Sequence, residues 1–383
     1  MKISYGAQDL RKLDKNIIFK SLKKEIVTNG QFCEKLEKKI CNITKSKYSL
    51  VCNNGTSALY LSILALFKKR KIIAIIPNIN FVASMSILHQ LDAKIILCDV
   101  NAYGMIDKNT FDQCLKKAAK DNIRPNLIMP IHYAGLVLDV EKIYKICKTK
   151  KIKIIEDGCH SFGSKLINKN SKIIVGQSKY SSCTTFSFHP VKNITTIEGG
   201  AITTNDKNLY KNLKILRSHG LKSTKIYDPY KLIMPSLNFR LGEINAVIGL
   251  QQIKHIKKFK NKRQKLVNYY LKKLNKFSDY FQPLNFESKN IFWHLFVIKF
   301  LNSKIYLKKK LMLYLKNKNI ITQIHYKPMH MHKSYKNQIL MKFTKNSDLF
   351  YRQQLSIPLH TRLTKKNLDK IIFEINAFFK KVN

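Results

Sequence analysis

The sequence predicts an α/β fold, in which a mostly parallel sheet lies between helices and is followed by a smaller α+β part. Between about residues 50 and 204, short runs rich in β-branched residues alternate with longer helical patterns, which is typical of a parallel sheet covered by helices. After about residue 207 long helical stretches dominate. The chain has 383 residues, 45% of them hydrophobic, enough for two packed domains. We therefore predict a large domain at 1–240, and a connecting helix and small domain at 241–383.

Seven runs in the first part are predicted to be buried strands, because each is short, apolar and bounded by polar or turn-forming residues. They are 48–52, 71–77, 93–100, 126–131, 151–157, 183–188 and 201–205. Helices are predicted between several of them, at 57–67, 82–91, 110–120 and 140–148. Ligands of such sheets bind outside the carboxyl ends of the strands, so the loops that follow the strands should hold the site.

The second part begins with a long helical pattern from Arg240, which predicts a helix that connects the two domains. Strands and helices then alternate less regularly, as in a small α+β domain. The predicted strands lie near 293–300, 322–326 and 355–359, and the predicted helices near 306–318 and from 365 onward.

The formal net charge of +48 raises the possibility of nucleic-acid binding, because such proteins neutralise phosphates with lysine and arginine. The lysines are, however, spread along the whole chain, and no helix-turn-helix, zinc-finger or RNA-binding motif is present. Lysine, isoleucine and asparagine are enriched together, which is the usual effect of an AT-rich genome. We therefore interpret the charge as a solvated lysine coat and expect no nucleic-acid partner.

The cysteines and the N-terminus indicate a reduced, unexported protein. The eight cysteines form no C-x-x-C pair and no dense framework, which favours free thiols over disulfides or a zinc site. No apolar leader precedes the first charges, and no run approaches the length of a membrane span. We expect a cytoplasmic protein with no membrane partner and no metal.

A predicted strand-to-helix turn carries Gly55, Thr56 and Ser57. The free backbone N–H groups at a helix start, together with the helix dipole, bind anions, and the hydroxyls add donors. The turn is therefore a candidate phosphate site. An ordinary helix cap by serine or threonine is the alternative interpretation of the same residues.

Two carboxylates, Glu156 and Asp157, end the strongly apolar strand at 151–157. Burying a carboxylate costs free energy unless a cation or a protonated ring nitrogen compensates it. Asp157 is therefore expected to have such a partner.

Lys192 lies in a loop that follows the strand at 183–188, and Pro190 prevents helix at the start of this loop. Unlike most lysines in the chain, it is flanked by a proline, hydroxyls and paired glycines. A partly buried lysine has a lowered pKa, and its free amine can attack a carbonyl. A solvent-facing lysine is the alternative. A phosphate site, a buried carboxylate and a reactive lysine are together what pyridoxal phosphate requires.

Several motifs in this order resemble the DegT/DnrJ family of sugar-nucleotide aminotransferases. They are "NNGTSAL", "PNINFVAS", "MPIHYAG", "IIEDGCHSFGS", "SFHPVKNITTIEGGAITTND", "RSHG", "LNFRLGEINAVIGLQQ", "WHLFVI", "TQIHYKPMH" and "LSIPLH". The resemblance spans essentially the whole chain. It implies fold type I of the PLP-dependent transferases, with a seven-stranded sheet, and pyridoxal 5'-phosphate as cofactor.

The resemblance also implies roles for individual residues. Lys192 matches the lysine that holds the cofactor covalently, and Asp157 matches the aspartate that keeps the pyridine nitrogen protonated. The other matches are Phe81, which stacks on the pyridine ring; His160, which lies beside the ring oxygen; Thr56 and Ser187, which contact the phosphate; and Asn238, which reaches the phosphate of the neighbouring subunit in a homodimer.

For the substrates, the resemblance implies L-glutamate as amino donor, which leaves as 2-oxoglutarate, and a keto sugar linked to a nucleotide as acceptor. Within the family the motifs are most similar to the branch of pseudaminic acid biosynthesis, whose acceptor is a UDP-linked 4-keto-6-deoxy-N-acetylhexosamine. Tyr5, Gly6, His325 and His330 are the candidate substrate-binding residues. A 3-keto, dTDP-linked or GDP-linked acceptor and a non-catalytic regulator of this fold are the alternatives.

Overall fold

The computed structural model describes residues 2–68, 70–167, 172–223, 230–284 and 290–382. Its centre is an eight-stranded sheet, with the helices packed against it. The predicted α/β class and the predicted mostly parallel sheet are therefore confirmed. The division into domains at residue 240 stays a prediction.

The strands of the large sheet include all seven predicted runs. In the order of the chain, the strands of the protein are β1 (Tyr48–Cys52), β2 (Ile73–Pro77), β3 (Lys94–Cys98), β4 (Leu127–Ile128), β5 (Lys153–Asp157), β6 (Lys165–Ile167), β7 (Lys172–Ile174), β8 (Cys183–Ser187), β9 (Gly200–Thr204), β10 (Leu221–Ser223), β11 (Tyr230–Leu232), β12 (Phe281–Pro283), β13 (Phe296–Phe300), β14 (Ile339–Lys342) and β15 (Gln354–Ile357). The large sheet has the order β1-β9-β8-β5-β4-β2-β3-β14.

The helices connect these strands and flank the sheet. They are α1 (Lys15–Leu22), α2 (Gln31–Thr44), α3 (Gly55–Phe67), α4 (Ala83–Gln90), α5 (Lys108–Lys120), α6 (Val140–Lys150), α7 (Lys207–Leu216), α8 (Glu243–Lys254), α9 (Ile256–Leu274), α10 (Tyr306–Asn317), α11 (Lys345–Gln353) and α12 (Lys365–Val382). None of the described helices is long and apolar enough to cross a membrane.

Strand direction brings the ends of the strands together at one edge of the sheet. In the large sheet only β9 runs against its neighbours, β1 and β8, whereas the other pairings are parallel. Apart from β14, the strands of this sheet are buried on both faces at nearly every position, as expected for strands covered by helices on both sides. Their carboxyl ends, and the loops that follow β1, β2, β5 and β8, therefore lie at the same edge.

The eighth strand comes from the second half of the chain, so the predicted number of seven is corrected to eight. β14 pairs in parallel with β3, Ile339 lying opposite Ile95. Its burial alternates between half-buried and exposed residues, as expected for an edge strand. The run 322–326, predicted as a strand, makes only an isolated bridge between Gln323 and Ser356.

The predicted connecting helix is divided in two. α8 ends at Lys254 and α9 begins at Ile256, with His255 between them. The carboxylate of Glu243, at the start of α8, is buried and accepts hydrogen bonds from the backbone N–H groups of Gly30, Phe32 and Cys33, at 3.0, 2.7 and 2.9 Å. It thus caps α2 from another element and joins α8 to α2, which packs against β1.

The N-terminal segment lies along the second half of the chain. Ile3 forms a parallel bridge with Ile320, and the Tyr5 carbonyl accepts a hydrogen bond from the N–H of Leu359 at 3.0 Å. A Cβ atom at Gly6 would lie 3.3 Å from Cβ of Val191. The segment therefore packs closely against the loop of Lys192.

Candidate active site

A cavity of about 390 Å³ lies at the carboxyl ends of the strands. Its lining comes from the loops after β1, β2, β5 and β8, from the N-terminal segment and from the second half of the chain. The lining residues are Tyr5, Asn54, Gly55, Thr56, Leu59, Asn80, Phe81, Ala83, Ile131, Asp157, Cys159, His160, Ser187, His189, Val191, Lys192, Glu198, His294, Gln323, Ile324, His325 and Tyr326.

One part of the cavity is the N-terminal end of α3, where β1 ends. The Asn54 side chain caps this helix by accepting the N–H of Ser57 at 2.8 Å, so the N–H of Ser57 is already used and the residue is buried behind the turn. Gly55 and Thr56 remain on the cavity. A Cβ atom at Gly55 would lie 2.7 Å from Cβ of Ser187, so only glycine lets the helix end and the Ser187 hydroxyl approach this closely.

Asp157 lies at the end of β5, opposite Thr185 of β8. The residue is 5% exposed, and its carboxylate accepts hydrogen bonds from the Cys159 N–H at 3.1 Å and from the Asn80 amide at 3.4 Å. Within the described part of the chain it forms no ion pair. A buried carboxylate whose hydrogen-bond donors are neutral can still receive a cationic partner from a ligand.

Lys192 lines the same cavity, in a loop whose ends are tied together. The N–H of Phe188 binds the carbonyl of Gly199 at 2.8 Å, and the Asn193 amide binds the carbonyl of Phe292 at 2.8 Å. Burial lowers the pKa of Lys192, an effect that the nearby Cys159 and Asp157 oppose. The free amine is therefore populated at lower pH than for an ordinary lysine.

Phe81 follows β2 and its side chain is 55% exposed. Its ring centroid lies 5.7 Å from that of Tyr326, at an interplanar angle of 56°. Without the family resemblance, the sequence around Phe81 would predict a core phenylalanine. Its exposure on the cavity instead makes it available to stack on a planar ligand.

A group that we call the histidine wall, formed by His160, His294, His325 and Tyr326, lines another part of the cavity. The ring of His160 lies 4.5 Å from that of His294, and its Nε2 lies 2.8 Å from the Tyr326 hydroxyl. His325 is anchored through Nδ1 to the Ser356 hydroxyl at 2.9 Å.

The surroundings of the three imidazoles of the histidine wall favour their neutral forms. Burial lowers the pKa of His160 and of His294 well below the ordinary value, and it lowers the pKa of His325 to about 3. The charge of Lys192 adds to the effect in each case. The wall therefore offers uncharged hydrogen-bonding groups.

The structure brings most of the predicted site residues together. Those that line the cavity are Tyr5, Gly55, Thr56, Phe81, Asp157, His160, Ser187, Lys192 and His325. Gly6 lies beside the cavity against Val191, and Ser57 lies behind the turn. Asn238 and His330 lie away from the cavity.

His330 belongs to a separate polar group. Its Nδ1 lies 2.9 Å from the Asn78 amide nitrogen, and its Nε2 lies 3.3 Å from Asp348. The substrate role predicted for His330 has no support in this geometry. Asn238 is exposed, and its side-chain oxygen accepts the N–H of Arg240 at 3.2 Å.

Sequence reasoning did not single out His294 and Tyr326. Both lie in quoted motifs, "WHLFVI" and "TQIHYKPMH", in which an apolar run contains polar aromatic residues. A histidine inside such a run is usually a satisfied core residue, so the pattern alone did not distinguish them. Their position depends on how the second half of the chain packs over the sheet edge.

Comparison with known proteins identifies the family of the chain. Residues 8–376 match the DegT/DnrJ/EryC1/StrS aminotransferase family. The chain belongs to this family. Family members depend on pyridoxal phosphate, so the protein is a PLP-dependent aminotransferase.

Among relatives in the family, the chain is 31% identical to the UDP-4-amino-4,6-dideoxy-N-acetyl-beta-L-altrosamine transaminase of Campylobacter jejuni over 95% of this chain and 94% of that protein. It is 30% identical to the transaminase of the same name from Helicobacter pylori over 99% and 98%. The solved structure of PseC from Helicobacter pylori, an aminotransferase involved in the biosynthesis of pseudoaminic acid, superposes with a TM-score of 0.90 at 28% identity, covering 100% of both chains. Fold type I is thereby confirmed.

The residues of the cavity fit the family's cofactor. The donors at Gly55, Thr56 and Ser187 suit a phosphate, and the buried carboxylate of Asp157 forms no ion pair with any described residue. Lys192 offers an amine of lowered pKa. Phosphate, ring nitrogen and aldehyde of pyridoxal phosphate thus each have a chemically matched group in one cavity.

Proposed function

We propose that this enzyme transfers the amino group of L-glutamate to a UDP-linked 4-keto-6-deoxy-N-acetylhexosamine. The product would be UDP-4-amino-4,6-dideoxy-N-acetyl-beta-L-altrosamine, a step of pseudaminic acid biosynthesis. The observation that carries the proposal is the meeting of Lys192, Asp157 and the phosphate donors in one cavity. Two relatives that are matched over nearly their whole length and bear the name of this reaction support the choice of substrate.

In the proposed site, each residue holds one part of the cofactor. Thr56, Ser187 and the end of α3 bind the phosphate, Asp157 binds the ring nitrogen, and Phe81 stacks on the ring. His160 would lie beside the cofactor ring, and the N–H of Ala134 fixes its position by donating to Nδ1 of His160 at 3.3 Å. When bound, pyridoxal phosphate supplies an electrophilic carbon and a ring that withdraws electrons.

The chemistry of the chain itself centres on the Nζ atom of Lys192. In the proposed reaction Nζ would hold the cofactor between turnovers and would become free once the amino group of the substrate takes its place. The freed amine would then act as general base and acid: Nζ would take the proton from the α-carbon of L-glutamate and give it up again on the same face of the bound cofactor, so that the amino group stays behind and 2-oxoglutarate leaves after hydrolysis. Burial, which lowers the pKa of Lys192, favours the unprotonated form that this role needs. The same steps in reverse aminate the sugar.

The substrate assignment is tested by incubating the purified enzyme and pyridoxal phosphate with L-glutamate and a panel of keto sugars. We expect the UDP-linked 4-keto-6-deoxy-N-acetylhexosamine to be converted to the 4-amino sugar, identified by mass and by NMR. The dTDP-linked and 3-keto sugars should react at least about 100-fold more slowly, because each leaves buried polar groups unpaired. Preferred conversion of one of those sugars would contradict the substrate, but not the family.

We further propose that the enzyme is a homodimer with shared active sites, in which Asn238 contacts the cofactor phosphate bound by the other subunit. Asn238 is exposed, and it lies beside Leu237, which is 62% exposed, and near Leu232 and Ile233, which are 56% and 50% exposed. Exposed apolar side chains grouped in this way are typical of a subunit interface. Light scattering should give twice the mass of the 44.7 kDa chain; a monomeric mass would contradict the proposal.

We also propose that the enzyme acts in the cytoplasm. All eight cysteines are free, which suits a reducing compartment. Cell fractionation that recovers the enzyme with the periplasmic or membrane fraction would contradict this location.

A further inference from the structure

We propose that His294 and Tyr326 form a pair of hydrogen-bond donors that selects the sugar substrate through its uncharged oxygen atoms. This inference rests on the proposed function. It names the residues by which the site would bind the sugar nucleotide differently from L-glutamate. The donor pair lies in the histidine wall, next to His160, and both of its members line the cavity.

His294 is held rigidly by its backbone. Its N–H donates to the carbonyl of Ala134 at 2.9 Å, and its carbonyl accepts a hydrogen bond from Arg263 at 3.1 Å. The buried Arg263 also binds the carbonyls of Trp293 and Leu359. The imidazole therefore has a fixed position on the cavity, packed against His160.

The ring of His294 is only 4% exposed, and its Nδ1 is enclosed without a hydrogen-bond partner among the described residues. A buried N–H group without an acceptor is rarer in proteins than a buried acceptor without a donor. We therefore assign the lone pair to Nδ1 and the hydrogen to Nε2. Since the open side of the ring is the cavity, the Nε2–H group is a donor to a ligand there.

Tyr326 is oriented by His160. Because Nδ1 of His160 accepts the N–H of Ala134, the neutral ring carries its hydrogen on Nε2 and donates it to the Tyr326 oxygen at 2.8 Å. The hydroxyl hydrogen of Tyr326 must then point to another acceptor. Tyr326 lines the cavity, so a bound ligand supplies that acceptor.

The uncharged state of the donor pair decides which substrate it fits. L-glutamate carries two carboxylates, and a carboxylate is bound best by a charged donor. Burial lowers the pKa of His160 and of His294 well below the ordinary value, which favours their neutral forms, and burial raises the pKa of the Tyr326 hydroxyl. Among the described residues no arginine lines the cavity. Neutral N–H and O–H donors suit the carbonyl and hydroxyl oxygens of a sugar.

The test replaces each donor by the side chain of similar shape that lacks it, in His294→Phe and Tyr326→Phe. We expect the KM for the sugar nucleotide to rise by about 10- to 100-fold in each variant, because an oxygen of the bound sugar loses its partner. The rate of the half-reaction with L-glutamate and the absorption of the bound cofactor should stay unchanged. The matched control is Tyr335→Phe, which removes a hydroxyl that is hydrogen-bonded to Ser86 outside the cavity and should leave both KM values unchanged.

Two results would overturn the inference. An equal loss in both half-reactions would assign the pair to the cofactor, and an unchanged KM for the sugar would assign it to packing. If His294→Phe does not fold, Tyr326→Phe alone decides. If the wild-type enzyme aminates a different sugar nucleotide, the proposed substrate fails, and the same comparison of KM values, made with the accepted sugar, still tests the donor pair.

Discussion

Replacing Lys192 by alanine should abolish turnover while leaving pyridoxal phosphate bound. The variant keeps the phosphate donors and Asp157 but lacks the amine that holds the cofactor and moves the proton. Removal of a nucleophile or base of this kind costs about 10⁴-fold or more in kcat. Steady-state amino transfer and the ultraviolet–visible spectrum of the purified variant measure the two halves of this prediction.

Lys207→Ala is the matched control for this variant, since Lys207 is an exposed lysine at the start of α7. It should retain the wild-type rate. A Lys192→Ala variant with normal turnover would rule out the role proposed for this lysine. If Lys192→Ala loses thermal stability as well as turnover, Lys192→Arg separates the two causes. Arginine keeps the charge and the length of the side chain but cannot supply a free amine, so a stable Lys192→Arg variant should still lack turnover.

Asp157→Asn should lower the rate of amino transfer by about 10²- to 10³-fold. The amide keeps the shape of the side chain and can still accept the N–H of Cys159, but it lacks the negative charge that stabilises a protonated ring nitrogen. Both half-reactions should slow together, because the ring nitrogen serves both. Rapid-mixing absorbance with L-glutamate, and then with the sugar nucleotide, measures the two rates.

Glu156→Gln provides the control for Asp157→Asn, because Glu156 is the neighbouring buried carboxylate outside the cavity. It is bound by His132 at 2.8 Å and by Thr184 at 3.2 Å. Its replacement should lower the melting temperature and leave kcat near the wild-type value, since it removes buried hydrogen bonds away from the reacting atoms. Equal rate losses in both variants would indicate that Asp157 acts only through the stability of the strand end.

The strands of the large sheet could be predicted from the sequence because their pattern is local. The seven predicted strands are short apolar runs whose flanking residues mark their ends, and a parallel sheet then places the loops of Thr56, Asp157 and Lys192 at one edge. The order of these residues along the chain was therefore enough to predict a common site.

Features that depend on contacts between distant parts of the chain could not be predicted in this way. β14 is a half-buried edge strand whose partner, β3, lies far away in sequence. The cap that Glu243 provides to α2 joins residues more than 200 positions apart. His330, a conspicuous polar residue, pairs with Asn78 and Asp348 instead of entering the cavity, whereas Tyr326, four residues earlier, enters it.

The most direct test of the central claim is the visible absorbance of the enzyme loaded with pyridoxal phosphate, followed through both substrates in turn. The band of the lysine-bound cofactor should disappear when L-glutamate is added and return when the UDP-linked 4-keto sugar follows. This cycle would establish amino transfer and its acceptor in a single sample. A loaded protein whose band does not respond to L-glutamate would contradict the account.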